Sequence, residues 1–219
     1  MIRGAIFDMD GTLLDSMSIW VNMGETYLRA IGYEPRADLN ETFRPLSLRQ
    51  AAEYFRREYG VPLSEEEIMT GINRMVEAFY REKAMPKPGV GDFLARLRDR
   101  GVKMCIASAT DRYLVEIALT RCGIREYFSE IFTCTEVGSS KSQPQIFLTA
   151  MAHLGTEKPR TAVFEDAVHA AQTARDDGFP LVGVYDRHEK RQEVLRAISD
   201  CYLTDFLHTD HFWEFASAL

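Results

Sequence analysis

The sequence predicts an α/β fold: a parallel sheet core with helices on both faces, plus an inserted all-helical domain. Three observations lead there. Short apolar, β-branched runs alternate with amphipathic helical patterns from residue 86 onward. The opening run IRGAIFD is of the same kind. Residues 17–85, between these two parts, carry helical patterns and no convincing strand. Near-continuous apolar strands separated by helices are what a parallel sheet covered on both faces requires, a Rossmann-like arrangement.

Taken in order, IRGAIFD is the first strand. Within the insert, Leu48, Ala51, Ala52, Phe55 and Tyr59 form a helical stripe that ends at Gly60 and Pro62. Ser64 with Glu67 makes a capping box ahead of a second stripe through Ile68, Ile72, Met75, Val76 and Phe79. KPGVGDFLARLRDRG (87–101) then re-enters the core. VKMCIAS (102–108) is a strand, followed by a helix from about Asp111 to Cys122 that Gly123 stops. EIFTC (130–134) precedes a helix opened by Pro144 and stopped by Gly155, and TAVFED (161–166) precedes a helix that ends at Gly178. PLVGVYD (180–186) is the next strand. These boundaries give an α/β core of residues 1–16 and 86–219, and a helical cap domain of residues 17–85.

Composition narrows the function classes. With 46% apolar and 27% charged residues, the 219-residue chain has the make-up of a globular protein. A net charge of −7 offers no basic excess for nucleic acid or an anionic membrane, so neither is expected as a partner. No stretch approaches the roughly 18 apolar residues of a membrane span, and Asp8 and Asp10 interrupt the N-terminal apolar run too early for a signal peptide. Cys105, Cys122, Cys134 and Cys201 are scattered without a C-x-x-C pair, as in a reduced, cytoplasmic protein. A monomer is expected, with a homodimer as the alternative.

The chemistry concentrates at strand ends. DMDGT (8–12) places Asp8 and Asp10 one residue apart after the first strand. A calcium loop would need glycine sixth and glutamate twelfth, where Leu13 and Ile19 stand. Two solvated acids before an ordinary turn, or an active site at the carboxyl end of a parallel strand, are the remaining readings. Other strand ends favour the second. TAVFED ends in Glu165 and Asp166, VKMCIAS ends in Ser108, and Lys141 lies in the polar loop after EIFTC. In a parallel sheet all these ends share one edge. Three or four carboxyl groups gathered there need a cation, and hard oxygen ligands suit Mg²⁺.

FDMDGTLLDS, IASAT, KSQPQIF and VFEDA, in that order, resemble the four motifs of the haloacid dehalogenase superfamily, most of whose members are phosphatases and phosphomutases. The resemblance spans essentially the whole chain, helical cap included. It implies that Asp8 attacks phosphorus, that Asp10 protonates the leaving group, and that Ser108 and Lys141 stabilise the phosphoryl oxygens. It also implies Mg²⁺ held by Asp8, the Asp10 backbone carbonyl and Asp166, with Glu165 in support. Gly11, Thr12 and Ala109 are then expected beside the phosphate.

The resemblance leaves the substrate, a small phosphate ester such as a sugar phosphate or a nucleotide, to the cap. Trp20, Arg44 and Arg49 are candidates for binding it, against the alternatives of a packed tryptophan and solvent-facing arginines. The cap carries nine basic and eleven acidic residues, so it forms no broad funnel for polyanions. β-Phosphoglucomutases resemble this architecture but usually carry histidine where Trp20 stands and another residue in place of Thr12, which favours hydrolysis over the mutase. Ser142, Gln145, Ala167 and Ala170 also depart from common family patterns without removing a catalytic group. A non-catalytic scaffold is the third reading, disfavoured by the intact set of Asp8, Asp10, Ser108, Lys141 and Asp166.

Overall fold

The computed structural model describes residues 1–43, 46 and 48–219. Six strands, β1 (Gly4–Phe7), β2 (Lys103–Ser108), β3 (Ile131–Thr133), β4 (Thr161–Glu165), β5 (Leu181–Val184) and β6 (Cys201–Leu203), pair in the order β3-β2-β1-β4-β5-β6. Every pairing is parallel. Phe7 lies level with Ile106 of β2 and Phe164 of β4. The residues just past these positions therefore emerge side by side at the carboxyl edge.

The chain divides into two compact units, Ser16–Lys83 and the remainder, Met1–Asp15 with Ala84–Leu219. The first is helical: α1 (Met17–Val21), α2 (Met23–Ala30), α3 (Leu39–Phe43), α4 (Leu48–Tyr59) and α5 (Glu65–Glu82). Ala51, Ala52 and Phe55 bury the inner face of α4, and Phe43 packs on Phe55 at 4.6 Å between ring centres. The capping box at α5 forms as read: Ser64 Oγ accepts from the Glu67 N–H at 3.2 Å, and the Ser64 N–H donates back to Glu67 at 2.8 Å. The buried stripe of α5 runs Ile68, Ile72, Val76, Tyr80. Tyr80 rather than Phe79 is its last buried member, because a spacing of four continues the same helix face.

In the larger unit, alternate residues of each strand face opposite layers. Ile6, Cys105, Ala107 and Val163 point into one apolar layer with Ile146, Ala171 and Leu195. On the other face Phe7 stacks on Phe164 at 4.1 Å, and Phe164 meets Phe212, which also packs on Phe93. The helices that supply these layers are α6 (Val90–Asp99), α7 (Arg112–Arg121), α8 (Cys134–Val137), α9 (Gln145–Leu154), α10 (Val168–Asp176), α11 (Gln192–Ile198) and α12 (Asp210–Ala218). The sheet thus carries helices on both faces. Strand β6 has no counterpart among the strands read from sequence, since three residues are too few to establish a period. All four cysteines are free. Among the described residues, no helix is long and apolar enough to cross a membrane.

Candidate active site

Strand β1 delivers the first group. The Asp8 N–H still donates to the Phe164 carbonyl at 3.0 Å, so the residue continues the ladder while its side chain reaches the carboxyl edge. Beyond it the chain turns sharply. Gly11 sits at φ 81°, a left-handed conformation that costs a residue with a Cβ about 1–2 kcal/mol. The N–H groups of Leu13 and Leu14 both close back on the Met9 carbonyl at 2.9 Å, and Gly11 N–H donates to the Leu14 carbonyl at 3.0 Å. This tight turn separates the two aspartates that an extended strand would have kept on one face.

Asp8 faces a buried ionic cluster. Lys141, reached through α8 and a left-handed Gly138, directs its ammonium group at both Asp8 Oδ1 and Glu165 Oε1. Carboxylate oxygens of Asp8, Glu165 and Asp166 all lie within 4.8 Å of one another. Only 7% of Asp8, 6% of Lys141, 1% of Glu165 and 3% of Asp166 is exposed, so solvent screens these charges little. Thr12, fully buried, donates its hydroxyl to Asp166 Oδ1 at 3.0 Å and so ties the first motif to the fourth.

The electrostatics follow from this crowding. Burial pushes the Glu165 carboxyl up to about 7, with the Asp8 charge adding to the rise and Lys141 opposing it. Asp166 is raised well above the usual carboxylate range, first by burial and then by Asp8 and Glu165. Lys141 is also raised, above an ordinary lysine, because its two carboxylate partners outweigh the burial that would discharge it. A buried set of three carboxylates against one lysine is short of positive charge. That deficit, together with donors of hard oxygen alone, fits a small divalent cation.

Asp10 belongs to a different neighbourhood. Thr110 donates its hydroxyl to Asp10 Oδ2 at 2.7 Å, and the Thr110 N–H donates to Ser108 Oγ at 3.0 Å. Ser108 is buried at the end of β2, and accepting that bond leaves its own hydrogen free to donate elsewhere. Ala109, between them, is exposed at the same edge, while Gly11 is buried within the turn. Two further residues brace this region without having been singled out in the sequence: Lys87, from KPG, and Asp186, the last residue of PLVGVYD. Thr110 was open to notice as the end of IASAT; a lysine before a proline carried no comparable signal.

Three further candidates fall within Ser16–Lys83, the helical unit. Trp20 is half-buried, and its indole N–H donates to the Tyr80 hydroxyl at 3.0 Å. Arg49 pairs with Glu65 at 3.2 Å on an exposed helix start. Arg44 lies outside the described residues.

Residues 5–184 match the family model of the haloacid dehalogenase-like hydrolases. Hexitol phosphatase B of Escherichia coli is 28% identical over 181 residues, covering 80% of this chain and 81% of its own. The phosphate complex of CbbY from Rhodobacter sphaeroides superposes with a TM-score of 0.77 at 22% identity, over 96% of this chain and 97% of that one. A β-phosphoglucomutase from Clostridium difficile superposes at 0.71 and 18% identity, over 100% and 98% of the two chains. With its four motifs meeting at one sheet edge and its length matched from the first strand to the fifth, the chain belongs to the haloacid dehalogenase-like hydrolase family.

Proposed function

We propose that this chain is a phosphatase that hydrolyses a small phosphate monoester through an aspartyl-phosphate on Asp8. The observation that carries the reading is the separation of the two aspartates. Asp8 lies among buried charges, against Lys141 and beside Glu165 and Asp166, whereas Asp10 is held by a neutral hydroxyl from Thr110. This separation supports attack by the first carboxylate and proton transfer by the second.

In the first step an Asp8 oxygen bonds to phosphorus as the phosphorus–ester oxygen bond breaks, and protonated Asp10 gives its proton to the departing alkoxide. In the second, water attacks phosphorus, the bond to Asp8 breaks, and Asp10 takes the proton from that water. Lys141 offsets the charge gathered on the phosphoryl oxygens, and the Ser108 hydroxyl donates to them. Asp8 and Asp166, with the Asp10 backbone carbonyl and with Glu165 in support, would hold Mg²⁺. When bound, the ion supplies positive charge that lowers the repulsion between a carboxylate and an anionic phosphate.

A sugar phosphate or similar small ester is the substrate class supported best. The curated relative in Escherichia coli is named for hexitol phosphates, and the helical unit lacks a basic excess suited to polyanions. The test is direct. The purified protein with Mg²⁺ is incubated with a panel of phosphate esters and free phosphate is measured. Release that disappears in Asp8→Asn supports the hydrolase. Conversion of β-glucose 1-phosphate without release of phosphate would replace it with a mutase.

A further inference from the structure

The turn that carries Asp10 is held from outside the four motifs. Lys87 runs beside it: the Lys87 N–H donates to the Leu13 carbonyl at 2.8 Å, and the Asp15 N–H donates to the Met85 carbonyl at 2.9 Å. From there the lysine side chain folds back along the turn. Its ammonium group donates to the Gly11 carbonyl and to the Tyr185 carbonyl, and it pairs with Asp186 Oδ2 at 3.3 Å. An ammonium group has three donors, and these three oxygens account for all of them. Side-chain exposure is 12% for Lys87 and 2% for Asp186, so the pair is largely withdrawn from water.

Each acceptor is itself fixed. Asp186 Oδ1 accepts from the His188 N–H at 2.8 Å, and the Tyr185 N–H donates to the Leu203 carbonyl at 2.8 Å. Gly11 is held at both ends of its residue, its N–H on Leu14 and its carbonyl on Lys87. The residue immediately before it is Asp10.

We propose that Lys87, with Asp186, is a positioning residue for the hydrolysis: it clamps the Gly11 carbonyl to the end of β5 and thereby sets the aim of Asp10. The inference rests on the phosphatase reading and on the role of Asp10 within it. Without the clamp the Gly11 carbonyl loses its tie to the end of β5 and the turn is held only by its remaining bonds, so the Asp10 side chain drifts from the leaving group while Asp8, held by β1 and Lys141, stays in place. The defect therefore falls on proton delivery and spares the attack itself.

Leaving-group dependence separates these two. An alkyl phosphate needs its alkoxide protonated as it leaves, whereas p-nitrophenyl phosphate releases a stable phenolate. The quantity to compare is kcat/KM, which reports phosphoryl transfer without the later hydrolysis of the intermediate. Lys87→Met is expected to lower kcat/KM on an alkyl phosphate by about tenfold or more, as partial loss of general-acid catalysis does, and to lower it far less on p-nitrophenyl phosphate. Lys87→Arg should recover most of the loss. Asp186→Asn keeps the lysine and weakens its anchor, so it should show the same split at smaller size, and it carries the test if Lys87→Met does not fold. Equal losses on both esters, or no loss in either variant, would overturn the proposal. Asp10→Asn is run in parallel. If it shows no split while the wild type hydrolyses both esters, the assignment of Asp10 fails; if the wild type hydrolyses neither, the phosphatase reading fails.

Discussion

The Thr110 hydroxyl donates to Asp10 Oδ2 at 2.7 Å, joining the end of the second motif to the proposed proton carrier of the first. The two residues are 100 positions apart in the chain, and the neighbouring strands β1 and β2 bring them together. Because the same threonine also donates its N–H to Ser108, one residue orders both the proposed acid and a proposed phosphate donor.

Thr110→Val keeps the shape of the side chain and removes the hydroxyl. It is expected to lower kcat/KM on alkyl phosphates by about tenfold, a part of the roughly 10²–10⁴-fold that a well-placed general acid contributes. Thr110→Ser should retain most of the activity. Thermal melts of both variants close to that of the parent would assign the loss to the site. An unchanged rate in Thr110→Val would mean that Asp10 is oriented without this bond.

Stability should respond to metal and pH together. Glu165, raised to about 7 by burial, holds a proton in the folded protein over a range where the unfolded chain has already lost it. In that range the folded state binds more protons, so the contribution of this group to stability falls as pH rises through the window from about 4.5 to 7. A divalent cation must displace the same proton at low pH and meets a ready carboxylate at high pH. Mg²⁺ should therefore raise the melting temperature more at pH 8 than at pH 5.5. Equal shifts at the two pH values would contradict the placement of the ion among these carboxylates.

Lys141→Met removes the cation that touches Asp8 and Glu165. Breaking a buried ion pair by deleting one partner costs about 3–5 kcal/mol, because the remaining charge is uncompensated. In the variant Glu165 holds its proton still more tightly, so part of the lost stability should return on acidification towards pH 5. Melting curves across pH measure this directly. Phosphate release should be abolished at every pH.

What could be read without coordinates was mostly local in character. The runs that became β1, β2 and β4 are buried along nearly their whole length, and an acid or hydroxyl ending such a run stands out against the apolar residues before it. The parallel sheet then requires those ends to meet, which is why Asp8, Glu165 and Asp166 could be grouped in advance. Contacts set by a turn were legible only in part. Gly11 pointed to a turn that separates Asp10 from Asp8, and it is left-handed as such a turn requires. The bond from Thr110 to Asp10 carried no such signal, and the reach of Lys87 depends on a segment that rejoins the core after the helical insert. The end of α5 illustrates a finer limit: Phe79 and Tyr80 are adjacent aromatics, and only packing decides that Tyr80 is the buried one.

The most direct test of the account is to trap the covalent intermediate. The protein is mixed with substrate and Mg²⁺, quenched in acid within its first turnovers, and digested for mass spectrometry of the peptide that contains residues 8–12. One phosphoryl group is expected on that peptide, located at Asp8 and missing from Asp8→Asn. Phosphate released at the parental rate by Asp8→Asn, with no phosphorylated peptide in either protein, would contradict it.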